Sequence, residues 1–196
     1  MADLAWPPLN GACGAPWVIF APEGSAEVRH RLTALEAKGC QIHRFDAHDL
    51  LTEQAVYRSF AETLRFPGYF GWNCHAMVDC LDDLCGAVTG GGAGIVGVIR
   101  GVDERLVEAE HFPLFVSVLC QGADRANSAV DLDGSPLDRP AIAEHFLFEF
   151  SFESSALDPG VLELEKAARR VEEDPDLVVT RGEGFVGVAL DPDVWH

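Results

Sequence analysis

Three features of the sequence predict an α/β layer fold with a largely parallel sheet. Short runs rich in β-branched and aromatic residues, APWVIFAP (15–22), GIVGVIRG (94–101) and EHFLFEFS (144–151), read as buried strands. Between them lie segments whose apolar residues recur at helical spacing. The two kinds alternate along 196 residues, a length that buries a substantial core, and alternation of this kind marks strands joined by crossover helices.

Taken in order, residues 1–14 are rich in Pro and Gly and are expected to be a loose lead-in. The strand at 15–22 is followed by SAEVRHRLTALEAKG (25–39). There Val28, Leu32 and Leu35 share a helical face, Ser25 is placed to cap it and Gly39 to stop it. CQIHRFDA (40–47) alternates Ile42 with His43 and Arg44 with Phe45, the period of a strand. Thr52 can cap a helix running to about Arg65 with Tyr57, Phe60 and Leu64 on one face. A helix over 73–85 comes next, then the strand at 94–101, helices within DERLVEAE and PLFVSVLCQGADRA, a polar loop SAVDLDGSPLDRP, and the strand at 144–151. Residues 153–196 form an extension. PGVLELEKAARRVEED sets Val161, Leu164, Ala168 and Val171 along one stripe, and DLVVTRGEGFVGVALD reads as two strands joined by a glycine-containing turn. No internal repeat or low-complexity linker interrupts the chain. The organisation expected is a loose segment 1–14, an α/β domain 15–152, and an extension 153–196 packed on it.

Charge narrows the function. Fourteen Lys and Arg stand against 32 Asp and Glu, a net −18. Such a field repels phosphate backbones and anionic lipid and favours basic partners, so neither nucleic acid nor membrane is an expected partner. MADLAWPPLNGACGAPW has no basic segment followed by an apolar core, and no apolar run approaches a membrane span, so a soluble, cytoplasmic protein is expected. The six cysteines (13, 40, 74, 80, 85 and 120) are then expected as free thiols.

Several motifs fail their structural requirements. Gly92, Gly94 and Gly97, and again Gly182, Gly184 and Gly187, match G-x-G-x-x-G. That motif needs a strand before it and a helix after it; the first copy runs into a strand and the second sits in a hairpin, so both are turn or packing glycines. Cys74, His75, Cys80 and Cys85 match no paired ligand spacing, and no metal or cofactor is expected. Cys74 and His75, adjacent on a helix, project about 100° apart, which excludes them as a nucleophile and base in contact. No catalysis is expected.

The informative stretch is FPGYFGWNCHAMVDCLDDL (66–84). Four aromatics, a proline and two glycines fill seven positions, then an acidic, apolar helix begins. With Asn73 as N-cap, Cys74, Met77, Val78, Leu81, Leu84 and Cys85 form one buried stripe. His75, Asp79 and Asp83, four apart, form an outward row, with Ala76 and Asp82 on the same side. Small Ala76 leaves Asp79 accessible. Asp82 and Asp83 oppose the helix dipole, and residues 66–99 contain no Lys or Arg to offset them. Tyr and Trp beside carboxylates suit a protein-binding surface.

This stretch resembles the signature of the barstar family, the inhibitors of barnase-type ribonucleases. The family pattern is matched at Pro67, Tyr69, Phe70, Gly71, Asn73, Ala76, Met77, Asp79 and Leu81, and Cys80 follows the second acidic position as is common there. In element order the resemblance extends over residues 40–152. It implies a barstar-like fold with a small, mostly parallel sheet packed with helices, to which this chain adds an N-terminal strand and helix and a C-terminal helix and hairpin. It also implies an inhibitor or immunity protein whose helix 73–85 and preceding loop plug the active site of a cognate ribonuclease or related toxin. The implied partner-binding residues are Tyr69, Phe70, Gly71, Trp72, Asn73, His75, Ala76, Asp79 and Asp83, with a carboxylate in the place of the substrate phosphate. His75 stands where the family usually has an aspartate, which removes one carboxylate from the row. Trp72, Cys74 and Val78 depart as well.

Two other readings compete. One is a small-molecule-binding protein or enzyme with its site at strand C-termini near Asp46, Arg100 or Asp103. The other is a barstar-like scaffold for a basic protein that is no nuclease. A monomer is the expected oligomeric state.

Overall fold

The computed structural model describes residues 16–86, 94–128, 135–136, 143–151 and 159–193. Six strands, β1 (Val18–Pro22), β2 (Gln41–Asp46), β3 (Gly94–Val102), β4 (Ala143–Phe150), β5 (Leu177–Gly182) and β6 (Phe185–Leu190), form one sheet in the order β2-β3-β4-β1-β6-β5. Pairs β2–β3, β3–β4 and β4–β1 are parallel, while β1–β6 and β6–β5 are antiparallel. The four strands expected to share a mostly parallel sheet do so. The C-terminal hairpin β5–β6 continues that sheet past β1.

Alternation along the strands divides the core in two. Val18, Phe20, Ile95, Ile99, Phe146, Phe148 and Phe150 meet five helices: α2 (Glu53–Leu64), α3 (Cys74–Asp82), α4 (Glu104–Val107), α5 (Phe112–Asn127) and α6 (Pro159–Val171). Ile19, Ala21, Val96, Val98 and Leu147 meet α1 (Ala26–Ala37) through Val28 and Leu35. The larger layer is aromatic at its centre. Phe45 stacks on Phe60 at 4.2 Å, and Phe20 meets Phe148 edge-on at 5.3 Å. Gly97 is part of this fit, since a Cβ there would stand 2.6 Å from the Phe146 ring. Gly182 and Gly187 lie in β5 and β6, with Gly184 at φ 74° in the turn between them. Both glycine triplets therefore serve strands or turns where they are described; Gly92 lies outside the described residues.

Local signals place most helix ends. Ser25 Oγ accepts from the Val28 amide, Thr52 Oγ1 from the Ala55 amide at 3.2 Å, and Gly39 adopts φ 89° after α1. Arg65 ends α2 at φ 56°, a left-handed stop made without glycine. Helix α6 buries Leu164, Ala168 and Val171, and Lys166 fastens it to α4 through Glu104 (2.5 Å) and Glu108 (2.7 Å). Arg181 on β5 reaches Glu165 (2.9 Å) and Glu172 (2.7 Å). Among the described residues, no helix is long and apolar enough to cross a membrane. The lead-in 1–14, most of the loop 128–140, Cys13 and the side chains of Cys85 and Val161 lie outside the described residues.

Candidate protein-binding face

The aromatic loop begins where Arg65 turns the chain out of α2. The Phe70 amide closes a turn on the Pro67 carbonyl at 2.9 Å, dropping the Phe70 ring inward. Phe70 is buried, packed edge-on by Phe66 (5.1 Å) and Tyr57 (6.2 Å), and it carries the Trp72 ring at 5.2 Å. It therefore underlies the face from within. Tyr69 and Trp72 are the exposed aromatics, at 78% and 51%. Trp72 sits at φ 54°, a left-handed conformation costly for a bulky residue.

Asn73 converts this loop into a helix. Its Oδ1 accepts from the Ala76 amide at 2.9 Å, its carbonyl accepts from the Met77 amide at 3.0 Å, and its Nδ2 donates to the Gly71 carbonyl at 3.1 Å. The side chain thus serves as cap and loop clasp. Gly71 is tightly placed beside it, since a Cβ there would meet Asn73 Nδ2 at 3.1 Å and Ala76 Cβ at 3.3 Å.

Helix α3 has the phase expected: Met77, Val78, Leu81 and Leu84 are buried, while His75, Asp79 and Asp83 are exposed. Its α-helical part ends at Asp82, and a 3₁₀ turn, Asp83–Gly86, completes the predicted span. Two positions differ. Cys74, expected in the buried stripe, is half-buried because it opens the helix at its rim. Cys80, left out of that stripe, is buried. Cys80 lies three residues after Met77 and four before Leu84, so it falls on the same apolar stripe. Separately, a Cβ on Gly122 would lie 2.6 Å from Leu81 Cβ, so only glycine lets α3 and α5 approach this closely. A third correction concerns Cys74 and His75. Their side chains do meet, with Cys74 Sγ 3.4 Å from His75 Nδ1, because the 100° divergence separates their Cα–Cβ bonds while the ring reaches back.

Asp79 points outward with its side chain 70% exposed, yet it has an internal partner. Arg125, in the last turn of α5, donates from Nη1 to Asp79 Oδ1 at 3.1 Å. Counting cations only within 66–99 missed it. A signal was available, because Val118, Gly122 and Arg125 fall at i, i+4 and i+7, the stripe that faces α3. Beside this face, Tyr57, Met77, Leu114 and Phe115 line a shallow crevice between α2, α3 and α5. Tyr57 is locked there by donating to Glu53, and burial together with that carboxylate pushes its phenol well above the ordinary range.

The strand-end residues of the competing reading are occupied with the fold. Asp46 accepts from the His48 amide and Asp103 from the Arg105 amide, each opening a helical turn. Arg100 lies between Glu23 (3.7 Å) and Glu149 (3.8 Å). Cys40, Cys80 and Cys120 are buried, and burial raises all three thiols, so none is poised as a nucleophile. Among the described residues, no three His, Cys, Asp or Glu side chains gather as a metal site.

Comparison with known families fits this geometry. The barstar (barnase inhibitor) family model matches residues 40–131, from the start of β2 past the end of α5, and so takes in the aromatic loop, α3 and the helix that carries Arg125. No curated protein and no solved structure matches the chain. Residues 40–131, a little under half of the chain, are similar to the barstar (barnase inhibitor) family, and the match supports assigning this region to that family.

Proposed function

We propose that the chain inhibits a cognate ribonuclease, or a related toxin, by inserting the face built on α3 and the Tyr69–Trp72 loop into its active site. The observation that carries this reading is Asp79: a carboxylate at the middle of the outward row, 70% exposed, near small Ala76 and on the helix that the loop of exposed Tyr69 and Trp72 leads into. A site that cleaves RNA is lined with cations that hold phosphate, and a carboxylate on a rigid helix answers them with charge-assisted hydrogen bonds. The net −18 of the chain draws such a basic protein in quickly. Tyr69, Gly71, Trp72, Asn73, His75, Ala76, Asp79 and Asp83 supply the contact in this reading, and buried Phe70 supports it from beneath.

The test is a titration of a barnase-type ribonuclease, read as residual RNA cleavage, with wild type, Asp79→Ala and Glu183→Ala. Glu183 is exposed in the β5–β6 turn at the far side of the sheet. Wild type should inhibit. Losing Asp79 leaves the enzyme's cations buried and unpaired, a loss of about 3–5 kcal/mol, or roughly a hundredfold to several thousandfold in affinity. Glu183→Ala should bind as wild type. Equal inhibition by all three proteins would remove Asp79 from the mechanism.

A further inference from the structure

Asp79 does not wait unpaired for its target, and the residue that holds it belongs to a different helix. We propose that Arg125 is an intramolecular competitor for Asp79, occupying the carboxylate in the free protein so that only a partner with densely placed cations can claim it. This inference rests on the reading of Asp79 as the central binding carboxylate. Three observations support it. The guanidinium meets Oδ1 at 3.1 Å through a single nitrogen, a contact weaker than a two-point Arg–carboxylate clamp. The two side chains are unequally held: Arg125 is 35% exposed and Asp79 70% exposed, so the cation stays with the fold while the carboxylate faces the arriving partner. Arg125 also sits in the last turn of α5, where the helix dipole favours a cation and helps keep it in place.

The consequence is selectivity. An exposed ion pair is weak, so a site presenting several cations to Asp79 outcompetes Arg125, whereas an isolated lysine on an unrelated basic protein gains little by the exchange. A target's cations also meet Arg125 as a like charge beside the carboxylate they seek. Arg125 therefore lowers the affinity of every cationic partner by a small factor, which a partner placing several cations on Asp79 offsets and a sparse one does not. In a chain with net charge −18, which attracts basic proteins indiscriminately, such a device separates a fitting target from the rest.

The experiment compares wild type, Arg125→Gln and Arg125→Lys with two probes, a nona-arginine peptide and a barnase-type ribonuclease, by calorimetry at low salt. Gln keeps much of the side-chain length and removes the charge; Lys keeps the charge. Arg125→Gln should bind the peptide about two- to fivefold tighter than wild type, and Arg125→Lys should bind it as wild type does. Unchanged or weaker peptide binding by Arg125→Gln would overturn the inference. The ribonuclease arm reports separately on the function proposed above. If no variant binds the enzyme while the peptide gain persists, that function fails and the competition stands. Should Arg125→Gln not fold, the wild-type Arg125 side-chain NMR signals decide: addition of the peptide should shift them as the contact with Asp79 breaks, and signals that stay fixed would overturn the inference.

Discussion

Gly122→Val tests whether the position of the binding helix depends on one missing side chain. Gly122 lies in the middle of α5, where glycine costs about 1 kcal/mol of helix propensity relative to alanine. Were it merely tolerated there, valine would recover a few tenths of a kcal/mol and the protein would gain. The packing argues the reverse. The first carbon added would stand 2.6 Å from Leu81 Cβ and 2.7 Å from Leu81 Cδ1. Leu81 Cβ is fixed to the backbone of α3, so no rotamer change relieves the overlap, and the two γ-methyls of valine enlarge it. Overpacking of this kind costs about 1–3 kcal/mol, which exceeds the propensity gained. For a chain of this length each kcal/mol moves Tm by about 2–4 °C, so a fall of roughly 2–12 °C is expected in a reversible melt. If the helices separate to admit valine, the 3.1 Å contact between Arg125 and Asp79 opens with them, and the α3 face loses its register against the rest of the site. A melt of Gly122→Val at or above the wild-type temperature would refute the reasoning.

Three further outcomes are expected. His145 is buried against Trp17 (ring centroids 5.7 Å apart), and burial lowers its pKa from 6.5 to about 4. The unfolded chain therefore takes up a proton that the folded one refuses. Its contribution is fully present above pH 6.5 and is lost as pH falls toward 4, in total about 3 kcal/mol, measurable as a falling urea midpoint that His145→Leu flattens. Asn73→Ala removes both the cap of α3 and the clasp on Gly71, and should cost about 1 kcal/mol in a urea melt while weakening ribonuclease binding, whereas Asn73→Asp should keep most of the cap. His75→Asp adds a carboxylate to the outward row and should speed association with a cationic target, with the gain shrinking as salt is raised; a rate independent of salt would show that the row does not face the partner.

Much of the fold was legible because it rests on local signals. Ser25, Thr52 and Asn73 cap the helices they were expected to cap, and 144–151, read as a strand, is one, with Phe146, Phe148 and Phe150 in the helical core. The phase of α3 followed from the spacing of Met77, Val78 and Leu81. What escaped depends on approach between distant segments. The close approach of α3 to α5 rests on Gly122 lying against Leu81, and the pairing of Asp79 with Arg125 joins residues 46 apart in sequence. The turn that buries Phe70 escaped for another reason. Aromatic residues in a loop look alike in sequence, and only the hydrogen bond from the Phe70 amide to the Pro67 carbonyl separates the ring that supports the surface from the two that form it.

The additions to the family region can be understood from where they attach. The matched residues 40–131 contain β2 and β3, and β4 follows on the far side of β3. A parallel sheet ending at β4 would leave the unpaired edge of an aromatic strand open to other chains. Here β1 pairs with that edge, β6 and β5 extend beyond it, and the sheet ends instead at β5, whose Thr180 and Arg181 are exposed. Helix α1 covers the face of the sheet opposite α3, and α6 closes the core where α4 and α5 meet it. The elements outside residues 40–131 thus lie along the sheet edge, on the opposite face and beside α4 and α5, while the aromatic loop and the outward row of α3 keep their exposure. That placement seals the β4 edge and leaves open the surface on which Asp79 stands.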